Sequence, residues 1–451
     1  MTIHTLFLLT MMTFPTTGMS LRHIIKTTDF NQQALSGQAM LTVNKPGFYQ
    51  LGSDIVVQPV NTNVTIIRIA TSNVVLDLDN HAISQAPGSF ATVNGIEVTD
   101  ASANVTVRDG MMSDINGTGI LVQNQATNVR IADISINSCS YQGISIDSAT
   151  NVVLSNINVT HCDGSHEDAT NGALGIAITN TSIASLNHIV CAANSNQAGD
   201  STGILIDNSD ECTLSKVISA GHTGSNAYGF KITGSSTACS LLSCKAINNT
   251  ATSSLCVGFY MSSAINTDVI NCIARSHNTR GSSHVCYGFY SVNGHANKFE
   301  NCQASSNYAQ IVCAGIGITG REQFTRIINS TSEVNSSDVD AYGIMIGTDG
   351  NDMQPAHCTV SGNQVYNNAG QRKQYGIRDF SPITTSLYKE NSAYGHGRIN
   401  PGPGNLVLTD AMNYMISFSP SAASNLMFTE EKSEEVNRLQ KQDSRENISI
   451  Y

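Results

Sequence analysis

A four-residue phrase of glycine, an apolar residue, any residue and usually another apolar one limits what this chain can fold into. It begins at Gly95-Ile96-Glu97-Val98 and recurs as Gly119-Ile120-Leu121-Val122 and Gly143-Ile144-Ser145-Ile146. It continues at Gly175, Gly203, Gly229, Gly258, Gly288, Gly315, Gly343 and Gly376, with successive glycines 24 to 33 residues apart. The alternation and the β-branched residues read as a short strand. Self-similarity at this period marks units that bury their apolar side only by stacking on their neighbours. Short strands and polar turns with no helical stretch between them make each unit one coil of a parallel β-helix.

Two further phrases complete the coil. The first is Asn104-Val105-Thr106-Val107, Asn128-Val129-Arg130-Ile131 and Asn151-Val152-Val153-Leu154. Asparagine tolerates left-handed backbone, and in register such residues form amide ladders. A third strand follows, as in Ile134-Ser135-Ile136 and Cys272-Ile273-Ala274. The fold expected is therefore all-β, a right-handed single-stranded parallel solenoid of about twelve coils with three strands each and a cap at both ends. Residues 62–410 are assigned to the solenoid and 21–61 to an N-terminal cap, in which Asp29 to Met40 is expected to form a short helix over the open sheet edge. Residues 411–451 are read as a C-terminal cap and charged tail. Residues 1–20 carry the apolar run Leu6-Phe7-Leu8-Leu9 and then Thr16-Thr17-Gly18, the pattern of a signal peptide. The chain is accordingly expected to be exported, whether secreted, periplasmic or on the cell surface.

Cysteine placement repeats as well. Cys256, Cys286 and Cys313 each stand two residues before a repeat glycine, and Cys244, Cys272 and Cys302 recur 14 or 15 residues after one. Equivalent positions lie above one another, so these are two stacks, expected as reduced, buried rows. Adjacent strands ~4.8 Å apart would also tolerate an occasional bridge. The formal charge of −11 argues against non-specific binding to nucleic acid or anionic membrane. No apolar run reaches the ~18 residues needed to span a bilayer.

Between about residues 45 and 410 the repeats resemble the right-handed parallel β-helix repeat family of the pectate-lyase-like superfamily. That resemblance implies a carbohydrate-binding or carbohydrate-cleaving surface along the outside of the solenoid. The superfamily's enzyme motifs do not carry over. Asn266-Thr267-Asp268 and Gly395-His396-Gly397-Arg398-Ile399 mimic polygalacturonase segments, but the paired Asp-Asp between them is missing. Tyr228-Gly229-Phe230 and Tyr287-Gly288-Phe289 match the first half of the mannuronan epimerase Tyr-Gly-Phe-Asp-Pro-His, yet Lys231 and Tyr290 follow.

Candidate residues come from the coil register. Second positions after the glycine point outward, and Lys231, Tyr260 and Tyr290 fill them on three consecutive coils. Tyrosines in a row beside a cation suit sugar stacking. The turn before Tyr290 adds Arg275 and His277, with Arg280 and His284, as a cationic edge for an anionic group. Outward fourth positions carry Asp147 and Asp207 two coils apart, ~9.6 Å at standard spacing and near the upper limit for an inverting glycosidase pair. An aspartate where a strand enters a turn more often bonds its own backbone. The insertion holding Asp163, His166, Glu167 and Asp168 could bind calcium, although it meets no recognised ligand spacing and a solvated loop explains it as well. Two functions follow. One is a non-catalytic, adhesin-like protein binding polysaccharide or surface glycan. The other is a polysaccharide-degrading hydrolase or lyase. No other cofactor is expected.

Overall fold

The computed structural model describes residues 22–394, apart from 90, 100, 165–171, 197–198, 281–283, 348–354 and 381–385. The leader, the C-terminal cap and tail, and the segment Gly395-His396-Gly397 lie outside the described residues. So do His166, Glu167 and Asp168 of the insertion.

The chain forms a right-handed parallel β-helix. The glycine phrases make a 13-stranded sheet running in sequence order from Ala39–Val43 to Lys373–Asp379, here called the glycine sheet. The second and third phrases share a 23-stranded sheet. In four successive coils they merge into single long strands: Ala103–Ile115, Thr127–Cys139, Thr150–Thr160 and Ser182–Ala192. From Ser195 onward the return turn contributes two-residue strands that build a seven-stranded sheet. The pairings are parallel, with register steps of one coil, as at Ile120↔Ile144, Ile144↔Ile176 and Ile176↔Ile204.

That register produces the core. First positions after the glycine lie one above the next inside the solenoid, and Phe230, Phe259 and Phe289 stack there at 4.6 and 4.8 Å between ring centroids. The glycine itself is required by this packing. A Cβ on Gly258 would sit 2.5 Å from the carbonyl oxygen of Gly288 and 2.6 Å from His277 Nε2. The asparagine turns behave as the sequence implies. Asn73, Asn104, Asn128 and Asn151 have φ between 54 and 60°, and their side chains pass amide hydrogen bonds up the stack at 3.0, 3.1 and 2.7 Å. All twelve cysteines are free and buried, and Cys256, Cys286 and Cys313 are in register. Burial pushes the thiols of Cys191, Cys272 and Cys286 well up.

The N-terminal end differs from expectation. Asp29 to Met40 is not a helix: one 3-10 turn occupies Thr27–Asp29, and Ala39–Val43 is the first strand of the glycine sheet. Arg22–Ile25 already pairs with Gly47–Leu51, and Ala39–Val43 with Val64–Ile69. The segment assigned to a cap is thus itself wound into the stack. Burial of Met40, Val43, Leu51, Ile55 and Val57 in the stack outweighs the helix propensity of its Gln and Ala residues. Among the described residues no helix is long and apolar enough to cross a membrane.

Candidate functional site

The outer face of the glycine sheet carries the site, and its shape comes from a change of side at each repeat glycine. In a regular strand residues i and i+3 point to opposite faces. Here Tyr287 and Tyr290, three apart on one strand, stack at 4.1 Å with rings 5° from parallel. The glycine step shifts the alternation as a bulge does. Residues immediately before the glycine and two after it therefore share the outer face.

Two outer rows result. One is the expected row, paired as Leu205↔Lys231, Lys231↔Tyr260 and Tyr260↔Tyr290. The other was not anticipated: Tyr228, Val257, Tyr287, Ala314 and Tyr342, each directly before a glycine. The signal was present in the repeated Tyr-Gly pairs, but strict alternation assigns those tyrosines to the interior. Together the rows form an apolar cluster outside the solenoid and separate from its core. Tyr260 lies 5.3 Å from Tyr228 and 5.7 Å from Tyr290, with rings tilted in both pairs. Tyr290 exchanges a 2.7 Å hydrogen bond with Thr319 Oγ1. Burial raises the phenol pKa values of Tyr228, Tyr287 and Tyr290.

The cations do not gather there as expected. Lys231 lies over the Tyr228 ring at 4.6 Å and pairs with Asp200 at 3.6 Å, so its charge is already shared. Arg275 ends a strand of the 23-stranded sheet and is exposed there, on a different sheet from Tyr260 and Tyr290. His277 requires correction. Its ring is fully buried, not in a solvent-facing turn, and burial lowers its pKa to about 3, leaving it neutral. His284 is buried as well.

Toward the N-terminal end the same two rows open into a groove of about 480 Å³. Its floor is Leu121, Ser145, Ala177 and Leu205, one residue per coil. Thr118, Gln142 and Leu174 line one side; Gln123, Asp147 and Thr179 line the other. Asp147 is therefore in a groove, and Asp207, two coils on in the same row, does not line it. Asp147 Oδ1 accepts from Thr179 Oγ1 at 2.9 Å, Asn180 Nδ2 at 3.0 Å and Ser148 Oγ at 3.3 Å. Asp207 Oδ1 accepts from Thr233 Oγ1 at 2.7 Å. In both, the Oδ1 oxygen is bonded to a threonine hydroxyl of the next coil. Asp163 is exposed, and among the described residues no group of His, Cys, Asp and Glu could hold a metal ion.

No protein-family model matches the chain, and none of the curated proteins does. Solved structures do match. The mannuronan C-5 epimerase AlgE6 A-module of Azotobacter vinelandii is 13% identical, over 82% of this chain and 99% of that one, with a TM-score of 0.48. The periplasmic alginate epimerase AlgG is 8% identical over 80% and 77%, with a TM-score of 0.42. The Dettilon tailspike protein is 12% identical over 82% and 61%, with a TM-score of 0.40. Similarity this distant assigns no residue role and no activity to the chain.

Proposed function

Taking the chain as a right-handed parallel β-helix repeat protein, we propose that it is an exported protein that binds polysaccharide or surface glycan along the outer face of its glycine sheet, without cleaving it. The observation that carries this reading is the continuity of one row: groove floor, then Lys231, then Tyr260 and Tyr290, at one side chain per ~4.8 Å. A repeating ligand meets a repeating surface. Half-buried tyrosines present flat apolar faces with a polar tip, the pairing that sugar rings require.

Absence of cleavage rests on the groove's acids. Glycoside hydrolysis canonically uses two carboxyl groups flanking one bond, and among the described residues Asp147 is the one carboxylate lining the groove. The competing reading, a hydrolase or lyase, draws support from that same placement of Asp147. A glycan array probed with wild-type protein and with the Tyr260→Ala, Tyr290→Ala double variant tests the site. Wild-type protein binds, and the double variant loses about tenfold or more in affinity on every hit. Undiminished binding by the double variant would remove the tyrosine row from the site. Soluble oligosaccharide released from a bound polysaccharide would replace the binding reading with the enzymatic one.

A further inference from the structure

The geometry points to a ligand class: the groove over Leu121, Ser145, Ala177 and Leu205 is a subsite for an uncharged sugar, so the glycan recognised there is neutral rather than acidic. This rests on the carbohydrate reading above and adds the chemistry of one subsite to it.

Charge is the first ground. Among the described residues no lysine, arginine or histidine lines the groove, whereas Asp147 does. The two cations nearest along the outer rows are already committed. Arg68 Nε donates to Glu97 Oε2 at 2.7 Å, and Lys231 is paired with Asp200. A sugar carboxylate would be desolvated beside a carboxylate with no cation among the described lining residues to meet it, an arrangement that costs binding energy.

Hydrogen-bonding capacity is the second. Glu97 is 5% exposed and accepts from Thr65 Oγ1 at 2.9 Å as well as from Arg68. Its remaining oxygen takes Gln123 Nε2 at 2.6 Å. Glu97 is thus a positioning residue: it consumes a donor of Gln123 and leaves the Gln123 carbonyl oxygen without a partner among the described residues. Asp147 accepts three hydrogen bonds at Oδ1, and its Oδ2 has no partner among the described residues. Gln142 adds an amide that can both donate and accept. Sugar hydroxyls donate and accept, so they satisfy this set, and a carboxylate, which only accepts, does not.

Shape is the third. Leu121, Ala177 and Leu205 give an apolar floor for the C–H face of a ring, and about 480 Å³ falls within the usual range for small-ligand sites.

Isothermal titration calorimetry with uncharged gluco-, manno- and galacto-oligosaccharides and with oligouronates tests this, using the full chain. Wild-type protein binds at least one uncharged series about tenfold or more tighter than any oligouronate. Gln123→Ala with Asp147→Ala weakens that binding by about tenfold or more, while Arg326→Ala, exposed on the 23-stranded sheet, leaves it unchanged. If the double variant does not fold by circular dichroism, Ser145→Lys, a half-buried floor position, takes its place and produces the same loss. Preference for oligouronates, or retention of neutral-sugar affinity in the folded variants, overturns the neutral subsite while leaving glycan binding intact. Binding to no glycan at all overturns the carbohydrate reading and this subsite with it.

Discussion

At the scale of single residues, the chain spends its buried polar groups on ladders. At one interior corner Asn194, His222, Asn249, His277 and Asn307 lie above one another, and each side chain accepts the backbone N–H of the residue one coil earlier. Asn194 N–H donates to His222 Nδ1 at 3.3 Å, His222 N–H to Asn249 Oδ1 at 3.1 Å, and Asn249 N–H to His277 Nδ1 at 3.3 Å. A histidine can serve here only while neutral, because a protonated Nδ1 is a donor. Burial accordingly lowers the pKa of both His222 and His277 to about 3. With a folded pKa below the unfolded value near 6.5, the unfolded chain binds more protons across that interval. Stability is therefore complete above about pH 6.5 and falls as pH drops from there toward 3, by about 1.4 kcal/mol per pH unit for each histidine. Urea unfolding at a series of pH values should show this slope. In His222→Asn with His277→Asn, which installs the side chain the ladder uses elsewhere, the slope should flatten; equal slopes would separate these rings from the acid sensitivity. His277 was legible in the sequence as a cation beside a turn because spacing locates a residue on a coil. Spacing does not say whether the side chain turns inward.

At the scale of the element, the repeat glycine sets both the interior and the outer face. Inside, it admits the next coil's carbonyl and the ladder residue; outside, it brings two rows together. Gly258→Ala should cost about 1–3 kcal/mol in urea unfolding, since its new Cβ meets the Gly288 carbonyl oxygen at 2.5 Å. A neutral result would mean that the coils separate more easily than their packing implies. The expected row of Lys231, Tyr260 and Tyr290 could be counted from the sequence because all three stand at one offset from a glycine. The row of Tyr228, Tyr287 and Tyr342 could not, because its direction depends on the backbone step at that glycine. Arg275 shows the same limit: it precedes Tyr290 in sequence, yet a corner of the coil separates the two onto different sheets.

At the scale of the whole molecule, the solenoid lets a chain of 451 residues do without a single globular core. Its twelve thiols are buried along that axis, so their reactivity reports on the integrity of the stack. A thiol reagent should modify them in native buffer only at the rate of global unfolding, and should find all twelve in guanidinium without reductant. Rapid native modification would place some at the surface; a total below twelve would reveal bridged rungs.

Period and offset, which any reader of the sequence can count, determined the parallel β-helix, its register, the asparagine and cysteine stacks and the alignment of Lys231 with Tyr260 and Tyr290. They suffice because a coil of constant climb turns equal offsets into adjacency. Tertiary structure alone decided that His277 faces inward, that residues 22–57 already belong to the stack, that a second tyrosine row joins the first, and that Asp147 borders a groove. Each of these depends on where the backbone bends and what packs beyond the bend, and a linear spacing carries no information about direction.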